Sequence, residues 1–497
     1  MSEKKRTTFC ILPFVHMQVK PSGAMKPCCR FEFHNKEYLD SETEKKYVFD
    51  HYNITKGTSL SEGQNSELWE SIRQKLLNNE TVAGCSKCYQ EEATNGFSMR
   101  TSENKLRNDK NNSAPAFDVT KPTIKYLEMT FGNYCNLKCR TCNADLSSTW
   151  WEDENALVAS GRHKERELYL NSHGQKTMNI PFNWKKEDFV NVEEIKFTGG
   201  EPMVHPDFIK LMDMLIEIDV AKNIKLDIFT NCSWIPGEKY LERLKQFKRI
   251  VLSLSIDGVG KVNEYIRNPS KWDVVDNAVT AWLELEESRR ETINVIWNPT
   301  LNVYNVSSIK EMFDWWIAKN ESVNEHWMAA SVNINKTAKS NEVLPAGKFK
   351  FNVLTYPSHL SMIQLPWEIK EKAICDILVA VSELKFRNRL LCLDLLREVN
   401  VNGLYEAQLP KELLDIVDRQ TKVMYQHLPF DDYEHWFIAE MRVKLEKLIS
   451  IFKKYKPVPN DVEKLLIYTK DLDELREESF EETFPDIAKA FDDYRKK

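Results

Sequence analysis

The sequence has no stretch approaching the roughly 20 consecutive apolar residues that cross a bilayer, so a soluble protein with no membrane partner is expected. It has no dominant charge either. With 69 basic and 75 acidic side chains the formal net charge is −6, and no nucleic-acid or polyanion binding is indicated. After the charged start Met1-Ser2-Glu3-Lys4-Lys5-Arg6 there is no apolar run ending in a small-residue cleavage site. Export is therefore not expected, a cytoplasmic location is, and disulfides are not. No internal repeat and no extended low-complexity tract occurs.

What is present is a chain of 497 residues, enough for about three domains with their own cores. It carries 11 cysteines, which in a reducing compartment need a reason other than disulfides. They are Cys10, Cys28, Cys29, Cys85, Cys88, Cys135, Cys139, Cys142, Cys232, Cys375 and Cys392, crowded toward the first third of the chain. Structural thiols scattered through cores would not cluster in this way.

Residues 1–103 form one cysteine-bearing unit, and the polar stretch 104–122 reads as a linker. From Thr123, short β-branched or alternating runs predict strands at Tyr126–Phe131, Ile195–Thr198, Ile224–Thr230, Ile250–Ser255 and Val295–Val303. Helical spacing separates them, as in Phe208, Leu211, Met212 and Leu215, in Val274, Val275, Ala278 and Trp282, and in Ile309, Met312, Phe313 and Trp316. Strand and helix alternation implies an α/β chain with parallel βαβ units. Phe351–Pro357 reads as a sixth strand, closing a unit at 123–365. Residues 366–497 read as helical, including a stripe of Phe437, Met441, Leu445, Leu448 and Phe452. The acid-rich stretch from Asp461 reads as solvated helix surface.

Just past the first predicted strand lie Cys135, Cys139 and Cys142, spaced x3 then x2. In a parallel barrel the loops at the carboxyl ends of strands surround the active site. Three thiolates on one short loop can converge on three irons of a cubane, leaving the fourth iron open to a small molecule. The competing reading is zinc, which usually takes four ligands; no fourth Cys or His lies near, His163 being 21 residues on.

The second strand ends in Phe197-Thr198-Gly199-Gly200-Glu201-Pro202. Two glycines allow torsions and a close approach that a Cβ would block, and a carboxylate there can accept hydrogen bonds from an ammonium. Together, the three-cysteine loop and this Gly-Gly-Glu-Pro resemble the radical S-adenosylmethionine superfamily. Thr230-Asn231 and Ser253-Leu254-Ser255-Ile256-Asp257-Gly258 resemble family segments that line the cofactor cleft. Arg267 is placed to offer its guanidinium to the cofactor carboxylate. Gly258-Val259-Gly260-Lys261 does not complete a phosphate loop, because Ser255 and Val262 break the pattern. Thr141 stands where the family often has an aromatic residue, which removes a stacking contact to adenine.

The resemblance implies a partial (β/α)6 TIM-like barrel that binds S-adenosylmethionine at a [4Fe-4S] cluster held by Cys135, Cys139 and Cys142. Gly199, Gly200, Glu201, Pro202, Thr230, Asn231, Ser255, Asp257 and Arg267 would bind the cofactor. It further implies reductive cleavage to a 5′-deoxyadenosyl radical that abstracts a hydrogen, with electrons from a low-potential donor such as flavodoxin or ferredoxin.

Cys10, Cys28 and the Cys85-x2-Cys88 pair make four soft ligands, enough to close a metal site. They resemble the auxiliary-cluster domain, in its short twitch form related to SPASM, that usually follows such barrels and here precedes one. The resemblance implies one auxiliary [4Fe-4S] cluster; zinc is the alternative, since four thiolates do not by themselves distinguish the metals. Cys29 is a spare or substitute ligand. Cys232 reads as a buried thiol, or alternatively as a hydrogen donor near the barrel mouth; Cys375 and Cys392 read as core. Relatives with such modules often modify peptides or proteins, so a peptidyl substrate is expected. The alternatives are a small molecule, sugar or nucleoside substrate, or a zinc-stabilised non-catalytic binding protein on a degenerate barrel. No residue is assigned as catalytic acid or base.

Overall fold

The computed structural model describes residues 8–32, 52–95, 98–107, 121–323 and 352–373 apart from short breaks, and 456–496. The predicted stripe from Phe437 to Phe452, together with Cys375, Cys392 and most of the 104–122 stretch, lies outside the described residues. Among the described residues no helix is long and apolar enough to cross a membrane.

Mixed α/β architecture is organised on one sheet. Its strands are β1 (His16–Val19), β2 (Met25–Lys26), β3 (Tyr126–Met129), β4 (Glu194–Phe197), β5 (Lys225–Thr230), β6 (Arg249–Leu254) and β7 (Ile293–Trp297), in the order β2-β1-β3-β4-β5-β6-β7. β1 and β2 are antiparallel, and β1 through β3 to β7 run parallel. The predicted strands from Tyr126 to Ser255 are all present, shifted by a residue or two at their ends.

Strand periodicity sorts the side chains onto two faces. Leu127, Ile195, Leu226 and Ile250 stand in one row across the sheet, and Met129, Phe197, Ile228 and Leu252 in the next; all are buried. On the opposite face the row is Glu128, Lys196 and Asp227. Helices cover the apolar face because their own apolar stripes match it.

The N-terminal helices are α1 (Glu67–Leu77), α2 (Ser86–Asn95) and α3 (Met99–Arg107). Along the sheet follow α4 (Trp151–Ala159), α5 (Pro206–Glu217), α6 (Glu238–Leu244), α7 (Lys261–Ile266), α8 (Trp272–Ser288) and α9 (Ile309–Val323), and then α10 (Pro459–Arg476) and α11 (Pro485–Lys496). Phe208, Leu211, Met212 and Leu215 of α5 are buried, as are Ile309, Met312, Phe313 and Trp316 of α9. In α8 the buried face begins at Val275, and Val274 is exposed. One apolar cluster runs from Phe131 and Phe197 through Trp282 and Trp297 to Leu465 and Tyr468 of α10. A second joins Cys10, Leu12, Phe14 and Cys28 to Ile72 and Leu76 of α1.

Four expectations change. The run Val295–Val303 breaks: β7 ends at Trp297, and β8 (Thr300–Leu301) pairs with β9 (Asn352–Val353) in a separate two-stranded sheet. The sixth predicted strand therefore does not join the main sheet. The sixth parallel place is taken by β1, whose His16 to Gln18 pair with Tyr126 to Glu128. Helix α3 also runs four residues into the stretch read as linker, because Asn104 bonds Phe9 O at 2.8 Å and Ile11 N at 2.9 Å, on either side of Cys10. Finally, Asp471 of the acid-rich end is buried, and Asp473 and Glu478 are largely covered, so this is not a wholly solvated surface.

We expect Phe197→Ala, which removes a ring stacked on Phe131 and packed on Phe208, to lower the unfolding free energy in urea by about 3–5 kcal/mol.

Candidate functional site

Parallel strands bring their carboxyl ends to one edge, so the turns after β3, β4, β5 and β6 meet there. The turn after β3 is irregular from Gly132 to Ser147, and its buried backbone groups must find partners outside regular structure. Gly132 has φ +121°, and a Cβ there would stand 1.8 Å from Met178 O. Asn133, fully buried, donates from Nδ2 to Ala144 O at 2.8 Å and accepts at Oδ1 from Met178 N at 2.8 Å. Further along, Lys138 N and Arg140 N donate to Asn268 O and Ile266 O, each at 2.7 Å. Leu137 O accepts from Ser147 Oγ at 2.6 Å, and Cys139 O accepts from Trp150 Nε1 at 2.8 Å.

This frame holds Cys135, Cys139 and Cys142 as free thiols within electrostatic reach of one another. Burial, then the neighbouring Cys139, pushes the Cys135 thiol up to about 12, and burial with Cys139 and Cys135 raises that of Cys142. Burial raises Cys139 as well, against the opposing pull of Arg267, whose Nη1 lies 3.9 Å from its sulfur. Among the described residues no group of three or more His, Cys, Asp and Glu side chains is closed to the spacing of a bound ion.

The turn after β4 packs directly on this loop. Gly199 and Gly200 have φ +73° and +56°, and a Cβ on Gly200 would stand 2.2 Å from Tyr134 O. Glu201 N donates to Tyr134 O at 2.9 Å and Gly200 N to Leu146 O at 3.2 Å, while Pro202 opens a short 3-10 turn. The Glu201 carboxylate is buried; its Oε2 accepts from Asn231 N at 2.6 Å, and its Oε1 has no hydrogen-bond partner among the described residues. Burial pushes this carboxyl up to about 7, although the Asn231 N–H opposes the shift.

From β5, Asn231 bridges back through Nδ2 to Asn136 Oδ1 at 3.0 Å, and Thr230 is buried at the strand end. From β6, Ser255 N donates to Thr230 O at 2.8 Å. Asp257 accepts from Thr300 N at 2.8 Å and pairs with Arg267 Nη2 at 2.8 Å. Its carboxylate thus orients Arg267, whose buried Nε has no partner among the described residues. The residues singled out at three strand ends therefore lie around the cysteine loop. Cys232, at φ +55°, is fully buried in the main apolar cluster.

At the other end of β1, three chain segments bring Cys10, Cys28 and the Cys85–Cys88 pair into one region. After burial, the thiol of Cys10 is raised by Cys85 and Cys88, that of Cys28 by Cys10, Cys29 and Cys88, and that of Cys85 by Cys28 and Cys88. Arg100 reaches into this region, donating to Phe9 O at 2.7 Å and pairing with Glu92. Cys29 diverges: its Sγ donates to Met99 Sδ at 3.5 Å, and the charges around it belong first to Glu128 and Lys196 of the sheet.

Sequence reasoning missed Asn133, Asn136 and Arg140. Arg140 was visible as a cation between two cysteines, but its partners are hundreds of residues away.

Residues 129–295 match the family model of the Radical SAM superfamily. Among solved structures, the chain is similar to native anSMEcpe with bound AdoMet and Cp18Cys peptide, at 16% identity over 54% of this chain and 61% of that one, with a TM-score of 0.30. It is also similar to Streptococcus suis SuiB bound to S-adenosylmethionine, at 16% identity over 54% and 53%, with a TM-score of 0.25. The match thus spans less than two thirds of either structure's length. No curated protein matches.

The Glu201 carboxyl carries a pH signature. An unfolded chain ionises it in the ordinary range and the folded chain only near pH 7, so folded-state stability falls as pH rises between the two, by about 3 kcal/mol. We expect urea unfolding at pH 5 and at pH 7.5 to show this fall, and Glu201→Gln to flatten it. Gly200→Ala, forced onto Tyr134 O, should destabilise the chain by about 2–4 kcal/mol in the same assay.

Proposed function

We propose that this chain, whose residues 129–295 belong to the Radical SAM superfamily, is an enzyme that reductively cleaves S-adenosylmethionine and uses the resulting radical to abstract a hydrogen atom from a peptide or protein substrate. Cys135, Cys139 and Cys142 would hold the [4Fe-4S] cluster, and the donor set fits: three half-buried thiols within electrostatic reach of one another on one loop, which iron would deprotonate. Held by these three thiolates, a [4Fe-4S] cluster would supply the one electron needed for reductive cleavage of the sulfonium S–C bond of S-adenosylmethionine, with methionine as the leaving group.

The protein's part is placement. Glu201, with one oxygen spoken for and Oε1 buried without a hydrogen-bond partner among the described residues, is suited to an ammonium group. Arg267, steered by Asp257, offers a buried Nε–H to a carboxylate. Gly199 and Gly200 let the backbone lie against the cysteine loop, and Asn231 ties β5 to it through Asn136. Thr230, Ser255 and Pro202 complete the strand-end rim, on a partial (β/α)6 barrel. The observation that carries the reading is the hydrogen-bonded seating of the Gly-Gly-Glu turn on the three-cysteine loop, with Glu201 Oε1 orphaned beside it.

Cys10, Cys28, Cys85 and Cys88 would hold one auxiliary [4Fe-4S] cluster, supported by four thiols, three of them buried, drawn from three separate segments. A peptidyl substrate follows from the resemblance of this module to those that accompany peptide-modifying relatives; a sugar, nucleoside or other small molecule is the alternative. A low-potential donor such as flavodoxin or ferredoxin belongs to the same reading.

Anaerobic purification with iron and sulfide counting tests it. We expect about eight irons per chain, whereas about four irons with one zinc would assign zinc to the N-terminal site. Iron-free protein with stoichiometric zinc would overturn the whole proposal. Replacing Cys135, Cys139 and Cys142 by Ala should abolish formation of 5′-deoxyadenosine under dithionite, and retained cleavage would remove the loop from the site.

A further inference from the structure

One face of the acid-rich C-terminal helix α10, with the turn behind it, is turned away from water and closes on the cysteine loop. Arg140, between Cys139 and Cys142, has a completely buried side chain. Its Nη2 donates at 2.5 Å both to Asp473 Oδ1 and to Glu478 Oε2, across 333 and 338 residues of sequence. Its guanidinium lies 3.6 Å from the centroid of the Tyr265 ring, and Tyr265 OH donates to the same Asp473 oxygen at 2.8 Å. Glu478 Oε1 accepts from Asn268 Nδ2 at 2.7 Å, on the segment whose carbonyls already hold Lys138 N and Arg140 N. Tyr468 OH closes the set by donating to Arg140 O at 2.7 Å.

One turn further on, Arg476 is also fully buried. Its Nε pairs with Asp153 Oδ2 at 2.8 Å, and Asp153 Oδ1 holds Lys138 at 2.9 Å. The guanidinium sits 4.7 Å from the centroid of Trp150, the ring whose N–H bonds Cys139 O. Both Nη groups of Arg476 are buried without an acceptor among the described residues. A cation held in this way is costly unless negative charge lies near, and Trp150 alone separates its guanidinium from the Cys139 backbone.

We propose that α10 and the turn to Glu478 are a working part of the cluster site: Asp473 and Glu478 clamp the cysteine loop through Arg140, and Arg476 supplies a buried positive charge that favours the reduced, more negative cluster. This rests on the cysteine loop being the cluster site. Asp473, Glu478 and Arg476 are positioning and field-setting residues, and none is a ligand. The two charge types predict opposite effects on the reduction potential. Removing the Arg476 charge disfavours reduction, whereas neutralising Asp473 and Glu478 leaves Arg140 uncompensated and favours it.

The test is a redox titration, followed by electron paramagnetic resonance, of the cluster whose reduced signal changes on adding S-adenosylmethionine. That response separates the loop cluster from any N-terminal one. Arg476→Gln should lower the potential and Arg476→Lys should largely restore it. The Asp473→Asn, Glu478→Gln double variant should raise the potential and lose iron from the loop on anaerobic gel filtration. Each shift should be on the order of tenfold in the reduction equilibrium, about 59 mV for one electron. Loss of packing alone would not give opposite signs. Should the double variant fail to show a cooperative melt, the Arg476→Gln and Arg476→Lys pair decides. Unchanged potentials, or shifts of one sign in every folded variant, would overturn the clamp. If instead the wild-type chain shows no signal responsive to S-adenosylmethionine, the cluster assignment fails and the clamp with it.

Discussion

A partly buried loop that is neither helix nor strand must find partners for its covered backbone groups outside regular structure, and the stretch around Cys135, Cys139 and Cys142 is held in that way. Its partners come from the α7 end at Ile266 and Asn268, from the Gly-Gly-Glu turn, from the Asn133 amide and from Trp150. Apart from Asn133, these partners sit on elements outside the loop. The loop conformation is consequently a property of the assembled sheet and helices, and it exists only when all of them are in place.

Burial then sets the electrostatics. Charges removed from water cost several kcal/mol each unless paired, and the buried charges near the loop are matched across elements. Asp257 takes Arg267, Asp473 and Glu478 take Arg140, Asp153 takes both Lys138 and Arg476, and Glu154 takes Arg166. Against this background Glu201 Oε1, Arg267 Nε and the two Nη atoms of Arg476 stand out among the groups near the loop that have no hydrogen-bond partner among the described residues. They are an acceptor and donors held dry beside three thiols, as suits a site that receives a charged ligand.

The N-terminal unit is tied into this arrangement by pairing as well as by packing. β1 lies between β3 and β2, so the segment after Cys10 becomes a neighbour of the strand that leads into the cysteine loop, and the segment before Cys28 lies one strand further out. Adjacent residues Cys28 and Cys29 send their sulfurs to different surroundings, one among the other N-terminal thiols and one toward Met99, Glu128 and Lys196.

Local pattern was sufficient for much of this. Short β-branched runs and helical spacing placed β3 to β6 and their covering helices, because burial of one face imposes a period that a single segment displays. Cysteine spacing and the Gly-Gly-Glu-Pro turn marked the candidate site, since both are contiguous. What the sequence could not show was pairing between distant segments. That β1 takes the edge place beside β3, that Asn352–Val353 leaves the main sheet for Thr300–Leu301, and that acidic residues near the C-terminus are covered to hold Arg140 are all non-local. An acidic helix looks the same in sequence whether its carboxylates meet water or a buried guanidinium. Only the tertiary structure, by bringing Asp473 to Arg140, decides which.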